Sequence, residues 1–132
     1  MSEETPRHNL VGFGVVIGCT QAGPLIEWYR EAFEPLGAVW QEHMLVIGGS
    51  IIGFDERNDV AARAAEPGRQ LINLLVRDIR AAQQHLNTLD VEWVRPVEDV
   101  GGGWFFSTLL DPVGNYVQVL QGPPETGPGS AG

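Results

Sequence analysis

The sequence predicts an α+β fold built from two tandem βαβββ modules. Short apolar runs of strand length alternate with segments of helical period. The order strand, helix, three strands occurs twice. Similar residues also return at nearly constant offsets, as an internal duplication requires. A shift of 53 carries Leu36 to Leu89 and Trp40 to Trp93, and a shift of 65 carries Gly49-Ser50-Ile51-Ile52 onto Gly114-Asn115-Tyr116-Val117. A shift of 59 overlays Val15-Val16-Ile17 on Leu74-Leu75-Val76. At 132 residues the chain has room for one compact body or two small modules sharing a core, not for two domains of usual size.

In chain order, residues 1–9 form an N-terminal arm and residues 10–56 the first module. Leu10 to Ile17 is an apolar run short enough for a strand. Ala22 to Leu36 follows a helical period, with Leu25, Trp28, Tyr29, Phe33 and Leu36 on one face and Glu27, Arg30, Glu31 and Glu34 opposite. Pro24 suits a first helical turn and Gly37 a C-cap. Strands are expected at Ala38–Glu42, Met44–Ile47 and Ser50–Phe54, with Gly48-Gly49 as the hairpin turn. Residues 57–69 read as a linker with at most one helical turn. The second module, residues 70–121, offers a strand at Leu71–Val76 and a helix marked by Ile79, Ala82, Leu86 and Leu89. Further strands fall at Glu92–Arg95, Trp104–Leu110 and Asn115–Gln121. Residues 122–132, rich in Gly and Pro without period, read as a flexible tail.

Composition narrows the function. Apolar residues make up 43% and charged residues 19%, a globular balance. The formal charge of −9 repels phosphate backbones and anionic headgroups, which argues against nucleic acid or membrane surfaces and fits a cationic ligand or plain solubility. One cysteine, Cys19, rules out an internal disulfide framework and a multi-Cys zinc site. It has no basic neighbour in sequence and reads as packing. No apolar run approaches the ~20 residues of a membrane span. The acidic start Met1-Ser2-Glu3-Glu4 has no basic n-region, so a cytoplasmic protein is expected.

The segment Asp111-Pro112-Val113-Gly114-Asn115-Tyr116-Val117-Gln118-Val119-Leu120-Gln121 resembles the last hairpin of the vicinal oxygen chelate superfamily. That superfamily includes glyoxalase I, bleomycin resistance proteins, fosfomycin-resistance transferases and extradiol dioxygenases. Val76-Arg77-Asp78-Ile79 is similar to its entry into the second module, and the resemblance spans about Leu10 to Gln121. It implies a curved mixed sheet around a cup, the glyoxalase/bleomycin-resistance fold, and a homodimer. Metal-dependent members of that superfamily hold a divalent ion with a His or Glu on the first strand and a Glu on the last strand of each module. Those places correspond here to Gln118 and its repeat partner Gly53, and to Leu71 and its partner Gly12. Glycine and leucine have no donor, and Gln118 offers a neutral amide oxygen. No metal and no other cofactor is therefore expected.

Strand alternation assigns the faces. Phe13, Val15 and Ile17 should pack under the helices, leaving Gly12, Gly14 and Val16 toward the cup with Leu71, Asn73, Leu75, Tyr116, Gln118 and Leu120. The ligand-binding candidates are Trp40, Asn73, Trp93, Trp104, Phe106, Tyr116 and Gln118: aromatics for stacking, amides for hydrogen bonds. Core or dimer-interface packing is the competing reading for each tryptophan. Gly101-Gly102-Gly103 reads either as a lip over the cup or as a plain hairpin turn. Of the histidines, His8 lies near the start and His85 on a helix face expected to meet solvent. Glu42-His43 is the one pair able to move a proton if it points inward.

These observations favour a metal-free protein that binds a small organic molecule, cationic or aromatic, as bleomycin resistance proteins sequester a drug. No catalytic residue is assigned. Two rivals stand beside it: a metal-dependent lyase, isomerase or dioxygenase with ligands such as His43 and Glu56, and a dimeric scaffold that binds nothing.

Overall fold

Phe13, Val15, Ile17 and Cys19 alternate with Gly14, Val16 and Gly18, and this alternation becomes strand β1 (Phe13–Cys19) in the computed structural model, which describes residues 6–124. The strand starts three residues later than the apolar run suggested. Leu10 and Val11 stand 94% and 98% exposed ahead of it, and Phe13 is 74% exposed rather than packed under a helix.

Helix α1 (Ala22–Phe33) turns Leu25, Tyr29, Ala32 and Phe33 into the core. Gln21 gives no side-chain cap. Glu56, at the end of β4 (Ser50–Glu56), supplies one instead, its Oε2 accepting the Ala22 N–H at 2.9 Å. Pro35 tightens the last turn over Glu34–Leu36, and Gly37 closes it at φ 118°. Proline has no N–H, so the Glu31 carbonyl loses its helical partner. His85 of α2 (Ile79–Asn87) replaces that partner, its Nε2 lying 2.9 Å from the Glu31 oxygen. A carbonyl only accepts, so Nε2 carries the hydrogen. His85 is thus half-buried between the helices rather than on a solvent face.

The remaining strands are β2 (Val39–Gln41), β3 (Met44–Ile47), β5 (Ile72–Leu75), β6 (Glu92–Gly101), β7 (Trp104–Leu110) and β8 (Tyr116–Gln121). They form two four-stranded mixed sheets, ordered β1-β4-β3-β2 and β5-β8-β7-β6. Each module's first strand runs parallel to its last, and the other pairs are antiparallel. The duplication is visible in the ladders. Val15, Ile52, Leu45 and Trp40 stand side by side across the first sheet. Ile72, Val117, Leu109 and Trp93 do so across the second.

This register keeps the offsets of 53 and 65 and corrects the third. Val15 corresponds to Ile72, an offset of 57, not 59. Gln21 and Asp78, which precede the two helices, share that offset. The shift of two residues preserves the strand alternation but moves the partner of Leu71 from Gly12 to Gly14.

β6 continues well past Arg95 despite Pro96. An edge strand tolerates proline, and the pairing with β7 slips between Arg95 and Glu98 to accommodate it. Gly102 and Gly103, at φ 69° and 86°, make the two-residue turn between the paired Gly101 and Trp104, so this stretch is a hairpin turn rather than a lip. The connector holds one 3₁₀ turn, Pro67–Arg69, and is tied to the second module where the Ala64 N–H donates to the Val113 carbonyl at 2.8 Å.

The modules share one core, pinned by a buried polar contact. The Tyr29 hydroxyl donates to Asp111 Oδ2 at 2.7 Å. Asp111 is 3% exposed and also accepts from the Val113 N–H at 3.0 Å and from the Asn115 N–H and Nδ2, each at 2.9 Å. Four donors surround one carboxylate, as a buried charge requires. Burial, then Asp111, push the Tyr29 phenol well above its ordinary range.

Candidate functional site

The face of each sheet turned away from the helices is where the sequence placed the cup. Trp40 and Trp93 are not on it. Trp40 packs on the helix side against Phe54 at 6.3 Å, with the Arg30 guanidinium 5.0 Å above its ring. Trp93 lies on the same core, its Nε1 donating to Asn87 Oδ1 of the second helical segment at 2.8 Å. Both are repeat mates, as expected, but as core residues. Their partners Leu45 and Leu109 are fully buried beneath the helices, and a strand cannot show one residue to both faces.

The other five candidates do share the helix-free face, all on the second sheet. Asn73 pairs with Gln118, Gln118 with Thr108, and Thr108 with Arg95. One polar row thus crosses all four strands in the order Arg95, Thr108, Gln118, Asn73. An apolar row lies beside it: Phe106 pairs with Leu120 and Leu120 with Leu75, while Glu98 stands opposite Phe106 on β6. On the far side Tyr116 pairs with Leu110. Trp104 meets Phe106 edge to face at 6.3 Å, and its ring packs on Gly122, where an added Cβ would approach it to 3.1 Å. The described tail therefore begins against Trp104; residues 125–132 of the expected flexible tail lie outside the described residues.

Sequence reasoning missed Arg95, Thr108 and Glu98. The Arg95 guanidinium lies 5.7 Å from the centre of the Phe106 ring and donates to Glu98 at 2.9 Å. Arg95 holds the Glu98 carboxyl below its usual range through that hydrogen bond. The slip between Trp93 and Arg95 hid Arg95, because alternation counted from Trp93 puts it on the core face; a second slip, between Arg95 and Glu98, restores the alternation. Among the described residues, no side-chain hydrogen bond uses the Asn73 or Gln118 amide, so both keep donors and acceptors for a guest.

The first sheet's helix-free face differs. Val16 pairs with Gly53, and Gln41 with Met44; a second row runs Val39, Val46, Ile51, Gly14. Ile51 covers Gly14 so closely that an added Cβ would lie 2.5 Å from its Cγ1. Glu42 and His43 are not strand residues. They form the two-residue turn between β2 and β3, at φ 53° and 68°, and both are exposed, so neither points at a binding face. His8 is exposed in a short turn over Pro6–His8. Cys19 is buried, and burial followed by Glu56 and Asp55 raises its thiol, the opposite of an activated nucleophile.

With the corrected offset, the four positions that the sequence resemblance compares with cation ligands are Gly14, Gly53, Leu71 and Gln118. Three carry no donor atom and the fourth a neutral amide, so these residues do not fit a divalent ion. Among the described residues no three His, Cys, Asp or Glu side chains gather closely enough to share one. Between β1, β5 and the connector runs a groove of about 670 Å³, lined by Phe13, Val16, Arg69, Leu71 and Asn115 among others; neither Gln118 nor Phe106 reaches it.

Two parallel-first, antiparallel-after sheets of βαβββ order match known structures over most of their length. A lactoylglutathione lyase from Agrobacterium tumefaciens superposes with a TM-score of 0.63 at 16% identity, covering 86% of this chain and 94% of its own. A glyoxalase/bleomycin resistance protein/dioxygenase family enzyme from Burkholderia phytofirmans PsJN gives 0.61 at 15%, covering 82% and 95%. The chain has the vicinal oxygen chelate fold. A fosfomycin resistance protein, FosX, from Mesorhizobium loti shares that fold at a TM-score of 0.59 and 12% identity, covering 86% and 92%. The sequence matches no family model and no curated protein. Likeness at this identity establishes the vicinal oxygen chelate architecture and leaves the chemistry to the residues themselves. Among the described residues no helix is long and apolar enough to cross a membrane.

Proposed function

We propose that this protein binds a small organic molecule, without a metal, on the helix-free face of its second sheet. The observation that carries the reading is the row Arg95, Thr108, Gln118, Asn73 lying directly beside Phe106 and Trp104. Hydrogen-bonding groups in line, next to aromatic surface, are what orient a flat guest. The chemistry at the four cation positions supports a site that works by shape, stacking and amides rather than by chelation. Sequestration of a drug or toxic compound is the activity this arrangement serves most directly, since it needs capture and no reacting group. A second copy of the chain belongs to the same reading. Leu10, Val11, Phe13, Val16 and Leu75 are large, apolar and exposed, and a homodimer would cover them.

The test is a titration of tryptophan fluorescence against planar aromatics, quinones and cationic glycopeptides. Trp104, beside Phe106, should report saturable quenching that Trp104→Phe abolishes. Quenching unchanged in Trp104→Phe, or absent throughout, would refute the site. Metal analysis of protein purified without a histidine tag is the companion measurement: stoichiometric Fe, Mn, Ni or Zn would overturn the metal-free reading.

A further inference from the structure

We infer that the guest is an aromatic carboxylate, with Arg95 as the residue that selects it; this rests on the binding face proposed above. Across the three rows of that face Arg95 is the one cation, and it ends the polar row. Its guanidinium lies 5.7 Å from the Phe106 ring centre, so the ring's electron-rich face already has a cation over it. A cationic guest would meet Arg95 where it sought the aromatic. A carboxylate meets charge-assisted donors instead.

Glu98 does not use up those donors. A guanidinium carries five N–H groups in one plane, and Glu98 engages Arg95 through one nitrogen at 2.9 Å. Half of the Glu98 side chain is exposed, against about a third for Arg95. An exposed pair of this kind contributes little by itself, so a guest carboxylate can share or displace it. The rest of the row is neutral. The amides of Gln118 and Asn73 suit a carbonyl or hydroxyl substituent farther along the same flat guest, while Phe106 takes its apolar edge.

The chain's charge of −9 opposes this at long range. That field is screened beyond about 8 Å at physiological ionic strength, whereas a planar carboxylate–guanidinium contact acts at hydrogen-bond distance. The local contact decides the preference, and the overall charge slows the approach.

The experiment compares three probes of one shape: 2-naphthoate, 2-naphthamide and 2-naphthylmethylammonium, each titrated calorimetrically into the full chain. The expected order is naphthoate, then the amide at least tenfold weaker, then the ammonium weakest. Arg95→Gln should remove the preference of naphthoate over the amide. Arg95→Lys, which keeps charge but loses the planar fork, should retain only part of the preference. An ammonium bound as tightly as the carboxylate, or a preference surviving in Arg95→Gln, overturns the inference while leaving the binding face standing. Binding of none of the three would remove both. A far-UV circular dichroism spectrum and urea midpoint equal to those of the unsubstituted protein show that Arg95→Gln is folded.

Discussion

The two sheets are copies that kept one face and lost the other. On the helix side, Val15, Ile52, Leu45 and Trp40 answer Ile72, Val117, Leu109 and Trp93 almost type for type. On the opposite side, Gln41, Met44, Gly53 and Val16 stand where the second sheet has Arg95, Thr108, Gln118 and Asn73, once the ladders are followed one residue further and the β6 slip is allowed for. The reason is physical. Residues beneath a helix must fill a fixed volume at interior packing density, so size and apolarity are held. Residues on the other face answer to whatever lies against them. On the reading proposed above, an apolar surface would lie against one sheet and a guest against the other.

The largest effect should come from the contact that joins the two halves. Asp111→Ala leaves Tyr29, Val113 and Asn115 donors without their acceptor, at a cost of about 4 kcal/mol in urea unfolding. A loss below 1 kcal/mol would mean the halves hold together without it. Next come the matched core leucines. Leu45→Ala and Leu109→Ala should each cost about 3 kcal/mol, and equally within about 1 kcal/mol, because both are fully buried in equivalent rows. A large inequality would break the equivalence of the helix-side faces.

The pH dependence follows from Tyr29. Its phenol titrates higher in the fold than in the unfolded chain, so the native state binds the extra proton. Stability should be level below about pH 10 on this account, then fall by up to ~1.4 kcal/mol per unit as pH rises beyond it. Tyr29→Phe should remove that alkaline slope; a slope that persists assigns it elsewhere.

The smallest effects concern the faces that diverged. Gln118→Ala should weaken 2-naphthamide about tenfold with unfolding changed by less than ~1 kcal/mol, since its amide holds no hydrogen bond among the described residues. If it unfolds the domain, Gln118 is structural. The same experiment on the first sheet, Met44→Ala, should leave probe affinity unchanged. A comparable loss there would place the guest across both sheets.

Much of this was open to a reader of the sequence. Period, turn glycines and the recurring Trp and Leu positions identify two βαβββ modules, because a two-residue period and a helical period leave different apolar patterns whatever surrounds them. Met44–Ile47 and Trp104–Leu110 fall where those patterns put them. The lack of cation ligands at Gly53, Leu71 and Gln118 could likewise be read from residue types alone. Which face each tryptophan serves could not be. Trp40 and Trp93 are as apt for a binding wall as for a core, and only the partners Leu45 and Leu109, brought from other strands, settle it. Arg95 escaped for a related reason: a slip between Trp93 and Arg95 resets the alternation, and a slip is a property of pairing rather than of one strand. Local pattern encodes which elements form. Register, contributed by residues distant in the chain, sets what each side chain meets.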